Sequence, residues 1–302
     1  MTETTVTIPS AGLRLAGTLR VPGGLASGER RAAFLVLHGF GSNSSSSNVL
    51  APSKVLGELG YVTLAFDMRG CGESEGEHAR VICLEQVEDT RNALTFLARQ
   101  ACVDPQRIGV IGSSFGGAVA VYAAGVDDRF AAVISNGGWG DGERKFRGQH
   151  KSAQEWARFT KMLEDGREHR ARTGKSLMVP RYDIVPIPPH LRSNLASNSI
   201  EAFPAETAQS MFDFRADDVV GRIAPRPLLL LHAANDSVTP TEQSIELFKR
   251  AGQPTELHLV SDADHFMLGE SNARIWDLLR GWLGNYLPAV APAAKRAAGM
   301  RH

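Results

Sequence analysis

Apolar and polar residues alternate along 4–8 and again along 13–21, with Ser10-Ala11-Gly12 between the two runs. Period-two patterning on either side of a small-residue turn predicts an antiparallel hairpin. The pattern then changes. Residues 33–37, 61–66, 108–111, 130–134 and 228–231 are near-continuous apolar runs, as expected of strands covered on both faces. Residues 256–260 predict one more strand. Helical spacing fills the intervals. Helices are predicted over 52–59 with Gly60 as C-cap, over 84–99 on Leu84, Val87, Leu94 and Leu97, over 241–250 and over 275–287. The run 118–124 is small and apolar, as in a helix pressed on a sheet, with Gly125 as its expected C-cap. Strand alternating with helix predicts a mostly parallel sheet with helices on both faces.

That rhythm breaks between 137 and 217. The segment is first rich in charge (Glu143-Arg144-Lys145, Glu164-Asp165-Gly166-Arg167) and then in proline (Pro180, Pro186, Pro188, Pro189). A loop of that length without structure of its own is uncommon in a folded domain, so helices are expected within it, one over 152–164. The expected organisation is a core formed by 1–136 and 218–288, an inserted helical cap over 137–217, and a disordered tail over 289–302.

Composition narrows the function. The 302 residues, 43% hydrophobic and 22% charged, suit one large α/β domain with an insertion. The formal net charge of zero gives no footing for nucleic acid. No apolar run approaches the roughly 18 residues of a membrane span. The N-terminus lacks the basic and apolar regions of a signal peptide, so a cytoplasmic protein is expected. Cys71, Cys83 and Cys102 are odd in number and lack C-x-x-C spacing, which fits a reducing compartment and gives no metal site. Cys71 lies in a glycine-rich loop, where an exposed, incidental thiol is expected. The first hairpin offers an edge strand for pairing in a homodimer.

The chemistry centres on Gly112-Ser113-Ser114-Phe115-Gly116, a G-x-S-x-G between a predicted strand and a predicted helix. So abrupt a turn strains the serine backbone and admits only small residues two positions to either side. The serine is then exposed above the sheet, over a helix N-terminus suited to a developing oxyanion. A serine hydroxyl needs a base, and the base needs an orienting carboxylate. Asp236 follows the strand 228–231 and His265 follows the strand 256–260. The order Ser114, Asp236, His265 places each candidate just past a strand's C-terminal end, where open parallel sheets bind ligands. Asp262 and Asp264 lie too near His265 in sequence, Asp264 reading as a turn residue. His232 reads as a core histidine and His258 as a strand residue. His78, His150, His169, His190 and His302 fall in loops, insertion or tail. Two N–H donors for an oxyanion are expected from Phe115 and from Phe40 in the turn His38-Gly39-Phe40-Gly41-Ser42. Phe40 and Trp139 are candidate substrate-binding residues.

These pieces, together with Phe66-Asp67-Met68-Arg69-Gly70-Cys71-Gly72-Glu73-Ser74, Asn235-Asp236-Ser237-Val238-Thr239-Pro240 and Asp264-His265-Phe266, resemble the α/β-hydrolase superfamily. Within it the chain is similar to dienelactone-hydrolase-like and cinnamoyl or feruloyl esterase-like serine hydrolases. The retained serine sets it on the esterase side, since dienelactone hydrolases proper often carry cysteine there. The 137–217 insertion is longer than is typical of the feruloyl esterases. The resemblance implies an α/β-hydrolase fold and cleavage of a small-molecule carboxylic ester or thioester through an acyl-enzyme, with no metal or organic cofactor. An acyltransferase, a thioesterase or a C–C bond hydrolase would use the same three residues. A non-catalytic binding protein of this fold would typically lack one of them.

Overall fold

A computed structural model describes residues 1–269 and 272–291. The alternating N-terminal runs form the hairpin β1 (Thr2–Ser10) and β2 (Leu13–Val21), with Thr5 opposite Thr18. The core then alternates β3 (Arg31–Leu37), α1 (Ser47–Glu58), β4 (Val62–Phe66), α2 (Cys83–Ala98), β5 (Val103–Ser113), α3 (Phe115–Val126) and β6 (Phe130–Asn136). The segment after β6 contains α4 (Gly142–Gln149), α5 (Ala153–Thr173), β7 (Met178–Pro180), the short α6 (Arg181–Ile184), β8 (Ala202–Pro204) and α7 (Ala205–Asp213). Its two strands pair only with each other. The chain rejoins the core with β9 (Leu228–Ala233), α8 (Glu242–Arg250), β10 (Thr255–Val260) and α9 (Ala273–Tyr286).

The eight remaining strands form one sheet in the order β1-β2-β4-β3-β5-β6-β9-β10. The hairpin joins antiparallel through β2, and every later pairing is parallel. Strand periodicity sorts side chains between the two faces. Ala33, Leu35, Leu37, Leu228 and Leu230 meet α2, α3 and α8 on one side. Phe34, Val36, Leu229 and Leu231 meet α1 and α9 on the other. Both faces are covered, which is why these runs read as continuously apolar. No helix among the described residues is long and apolar enough to cross a membrane.

Several local expectations are corrected. Helix α1 begins at Ser47, so Pro52 lies inside it rather than at its start. Gly125 lies inside α3 and is no cap. A Cβ there would stand 2.6 Å from the Val219 carbonyl, so this glycine serves close packing. Helix α5 continues to Thr173, past the charged run and Gly166, and ends at Gly174 with φ of 71°. Gly166 is where α7 crosses closely, since a Cβ there would meet Ala205 Cβ at 2.4 Å. Ser152 caps α5 in a reciprocal capping box with Glu155. Cys71 is buried rather than exposed, and burial pushes its thiol up to about 12. Of the tail expected over 289–302, residues 292–302, including His302, lie outside the described residues.

Candidate functional site

The C-terminal ends of β3, β5, β6, β9 and β10 face a common edge, and the candidate residues collect there. Ser114 joins β5 directly to α3 with φ of 56° and ψ of −116°, a region that is costly for a non-glycine residue. Its N–H donates to the Asn136 carbonyl at 2.7 Å, and its carbonyl accepts from Ala118. The flanking glycines are required by contact. A Cβ on Gly112 would lie 2.1 Å from the Gly116 carbonyl oxygen, and one on Gly116 would lie 2.6 Å from that of His38. Phe115 opens α3, so its N–H has no partner within the helix.

Asp236 and His265 are brought together from successive strand ends. His265 Nδ1 lies 2.8 Å from Asp236 Oδ2. The other carboxylate oxygen, Oδ1, accepts the N–H groups of Val238 at 2.8 Å and Thr239 at 2.7 Å. Burial alone would raise the Asp236 carboxyl. His265 and His232 outweigh it and hold the group well below the usual carboxylate range. His232 is the buried histidine expected, bonded at Nδ1 to Ser244 and at Nε2 to the Thr239 carbonyl. Its Nε2 also stands 3.3 Å from Asp236 Oδ2, a neighbour the strand pattern did not reveal. Asp264 is a turn residue that accepts from the N–H groups of Ser237 and His265. Gly137, with φ of 58°, borders the Asp236–His265 pair: a Cβ on it would make ordinary contact, at 3.5 Å, with both partners.

Ser114 and His265 line one cavity with Gly39, Phe40, Val238 and Phe266 from the core. The insertion covers it with Arg181, Val185, Ile187, Asn194 and Leu195. The space left inside is about 30 Å³, room for a couple of waters. The walls are mostly apolar, with polar groups contributed by the core (Ser42, Asn48, Ser114, His265) and by the insertion (Arg181, Asn194).

The loop from His38 to Ser42 is held from both sides. His38 is buried, with Nδ1 on the Gly39 carbonyl at 2.8 Å and Nε2 accepting the Met68 N–H at 3.0 Å. Burial outweighs the Asp67 charge and lowers its pKa, keeping the ring neutral. From the insertion, the Phe203 ring stacks on Phe40 at 4.2 Å, and the Arg181 guanidinium donates to the Phe40 and Gly41 carbonyls, each at 2.8 Å.

Other expectations fare differently. Trp139 does not line the cavity. It packs behind Phe115, with ring centres 5.7 Å apart. Behind it lies Lys145, 1% exposed, its Nζ 3.8 Å from the Phe146 ring centre and without a hydrogen-bond partner among the described residues. Arg181 carries a positive charge in a proline-rich segment, which reads as solvated, yet it is only 1% exposed. Arg192 is exposed, as charged residues usually are, and lies over the Tyr182 ring. No motif marks Arg181, Asn194 or Leu195, because their places depend on how the insertion folds back.

The alpha/beta hydrolase fold family matches residues 32–271. The chain is 27% identical to the thiohydrolase aneE of Aspergillus aculeatus over 266 residues, 82% of this chain and 83% of that protein. It is 28% identical to the acyltransferase drtE of Aspergillus calidoustus over 229 residues, 70% of this chain and 72% of the other. Among solved structures, the hypothetical protein PA2218 of Pseudomonas aeruginosa superposes with a TM-score of 0.80 and 26% identity, covering 95% of this chain and 94% of that one.

Proposed function

The chain belongs to the alpha/beta hydrolase fold family, and from that premise we propose that it is a serine hydrolase cleaving a carboxylic ester or thioester. A hydrolase or acyltransferase role is supported by the family and by relatives named as a thiohydrolase and an acyltransferase. The finer reading rests chiefly on one observation. A strained serine and a carboxylate-bound histidine line the same cavity.

The chemistry follows from the bonding. With Nδ1–H committed to Asp236, His265 carries its free lone pair on Nε2. That nitrogen takes the Ser114 proton as Oγ attacks the carbonyl carbon. The carbonyl π pair moves onto oxygen, and the N–H groups of Phe40 and Phe115 receive the oxyanion. The tetrahedral intermediate collapses, the C–O or C–S bond breaks, and His265 returns its proton to the leaving group. Water then repeats the sequence and releases the acid. Asp236, ionised throughout, stabilises the imidazolium. The insertion acts as a cap. Ligand sites generally span about 300–1,000 Å³, so an ester enters only when the cap lifts from the roughly 30 Å³ that remains.

The test is hydrolysis of p-nitrophenyl esters from acetyl to long acyl chains, with Ser114→Ala as control. Turnover that falls by at least about 10⁴ in the variant is the expected result. Full activity in Ser114→Ala ends the reading. Ester turnover that yields transferred product when alcohols or amines are added would instead assign an acyltransferase using the same residues.

A further inference from the structure

Arg181 is a buried cation that makes no salt bridge among the described residues, with the Glu201 carboxylate acting on it only at longer range. Its Nε donates to the Ile200 carbonyl at 2.6 Å, Nη1 to the Phe40 carbonyl at 2.8 Å and Nη2 to the Gly41 carbonyl at 2.8 Å. Arg181 is 1% exposed. Removing a guanidinium from water without a counter-ion is costly. A fork of three hydrogen bonds to backbone carbonyls offsets part of that cost and requires a planar group. Two of those carbonyls belong to the loop on which the proposed function places an oxyanion donor, while Arg181 itself belongs to the cap.

The surroundings make the contact specific. Gly41 has φ of 52°, and a Cβ on it would lie 2.3 Å from the Phe203 ring and 2.9 Å from Arg181 Nη2. The Gly41 carbonyl also accepts the Ile200 N–H at 2.9 Å. Both rings that flank the guanidinium, Phe40 and Phe203, have centres 5.4 Å from its carbon. Arg181 also lines the cavity that contains Ser114. Loop and cap therefore meet at the wall of the site through the Arg181 fork, the Phe40–Phe203 stack and the Ile200 N–H bond to Gly41.

We propose that Arg181 is a positioning residue that sets the Phe40 N–H for the oxyanion, so that the site is complete only when the cap is seated. The proposal rests on the serine hydrolase reading. The carbonyl of Phe40 and the N–H of Phe40 flank the same residue, so fixing the carbonyl at 2.8 Å limits rotation of the adjoining peptide.

The test compares wild type with Arg181→Met and Arg181→Lys. A fluorophosphonate probe measures both the fraction of reactive serine and its rate of phosphonylation, a step that itself puts a charged oxygen in the oxyanion position. The expected result is a full complement of reactive serine, with phosphonylation rate and kcat lowered about 10²-fold and KM changed far less. Lysine does not rescue, since one ammonium cannot reproduce the fork, whereas added guanidinium partly restores the rate of Arg181→Met. Should Arg181→Met fail to fold, Arg181→Lys carries the same readouts. A kcat per reactive serine within about twofold of wild type in either folded variant overturns the proposal. Absence of phosphonylation in the wild type would instead overturn the serine hydrolase reading itself.

Discussion

Asp236 Oδ2 lies 2.8 Å from His265 Nδ1, while the second oxygen of the same carboxylate is bonded by two backbone N–H groups. The carboxylate is thus fixed by its own loop before it fixes the histidine. Asp236→Asn keeps the shape but offers an amide to Nδ1, favouring the wrong tautomer. We expect kcat on p-nitrophenyl acetate to fall by on the order of 10⁴ with the fold retained by circular dichroism. Activity within tenfold of wild type would remove Asp236 from the mechanism.

The same carboxyl predicts an acid limb in stability. Its pKa is held below the usual value, so the ionised form contributes stability above about pH 4, the unfolded value. That contribution is lost as pH falls through the lower folded value. Melting temperatures of wild type and Asp236→Asn should therefore begin to converge below about pH 4 and draw closer as pH falls further. A constant gap from pH 7 to 3 contradicts the assignment.

Gly112 and Gly174 make a matched pair of substitutions. A Cβ on Gly112 would collide with the Gly116 carbonyl at 2.1 Å, whereas nothing lies within 4 Å of one on Gly174, whose φ is 71°. Gly112→Ala should cost more than about 3 kcal/mol. Gly174→Ala should cost only the left-handed penalty of about 1–2 kcal/mol. Urea midpoints read both. Equal costs would show that the serine turn has slack.

Lys145 adds a second rise of stability with pH, in the alkaline range and from relief of a penalty rather than from a gain. Burial without a hydrogen-bond partner among the described residues lowers its amine to about 7. Between pH 7 and its ordinary 10.5 the unfolded chain holds a proton that the folded chain has released. Stability therefore rises with pH across that window, and below it the penalty is full and constant. Lys145→Met should raise Tm by on the order of 5 °C at pH 6, with the gain fading towards pH 10. A uniform gain at all pH values would point to packing instead of charge.

Much of the core was legible because its signals are local. The G-x-S-x-G turn, the strand runs and the Asp236 and His265 loops each depend on a few neighbouring residues. What escaped depends on contacts between distant segments. Gly125 reads as a cap and Gly166 as part of a charged run beyond the expected helix, but each is small because another segment crosses it. Pro52 reads as a helix start, yet α1 tolerates it one turn in. Arg181 reads as a surface charge because its three acceptors are carbonyls, which leave no trace in side-chain chemistry. Trp139 follows β6 closely enough to suggest the cavity, but its ring packs against Phe115 and Phe214 in the core instead.

The bond from Ser114 N–H to the Asn136 carbonyl continues the β5–β6 ladder, in which Ser113 faces Asn136, onto the strained residue itself. Ser114 is therefore indexed to the sheet as its final rung. Lengthening or shortening the exposed loops should leave that index untouched. Inserting or deleting a single residue between 108 and 113 should not, because a one-place slip turns every side chain to the opposite face. The spacing from strand to serine is thus the part of this chain least free to drift.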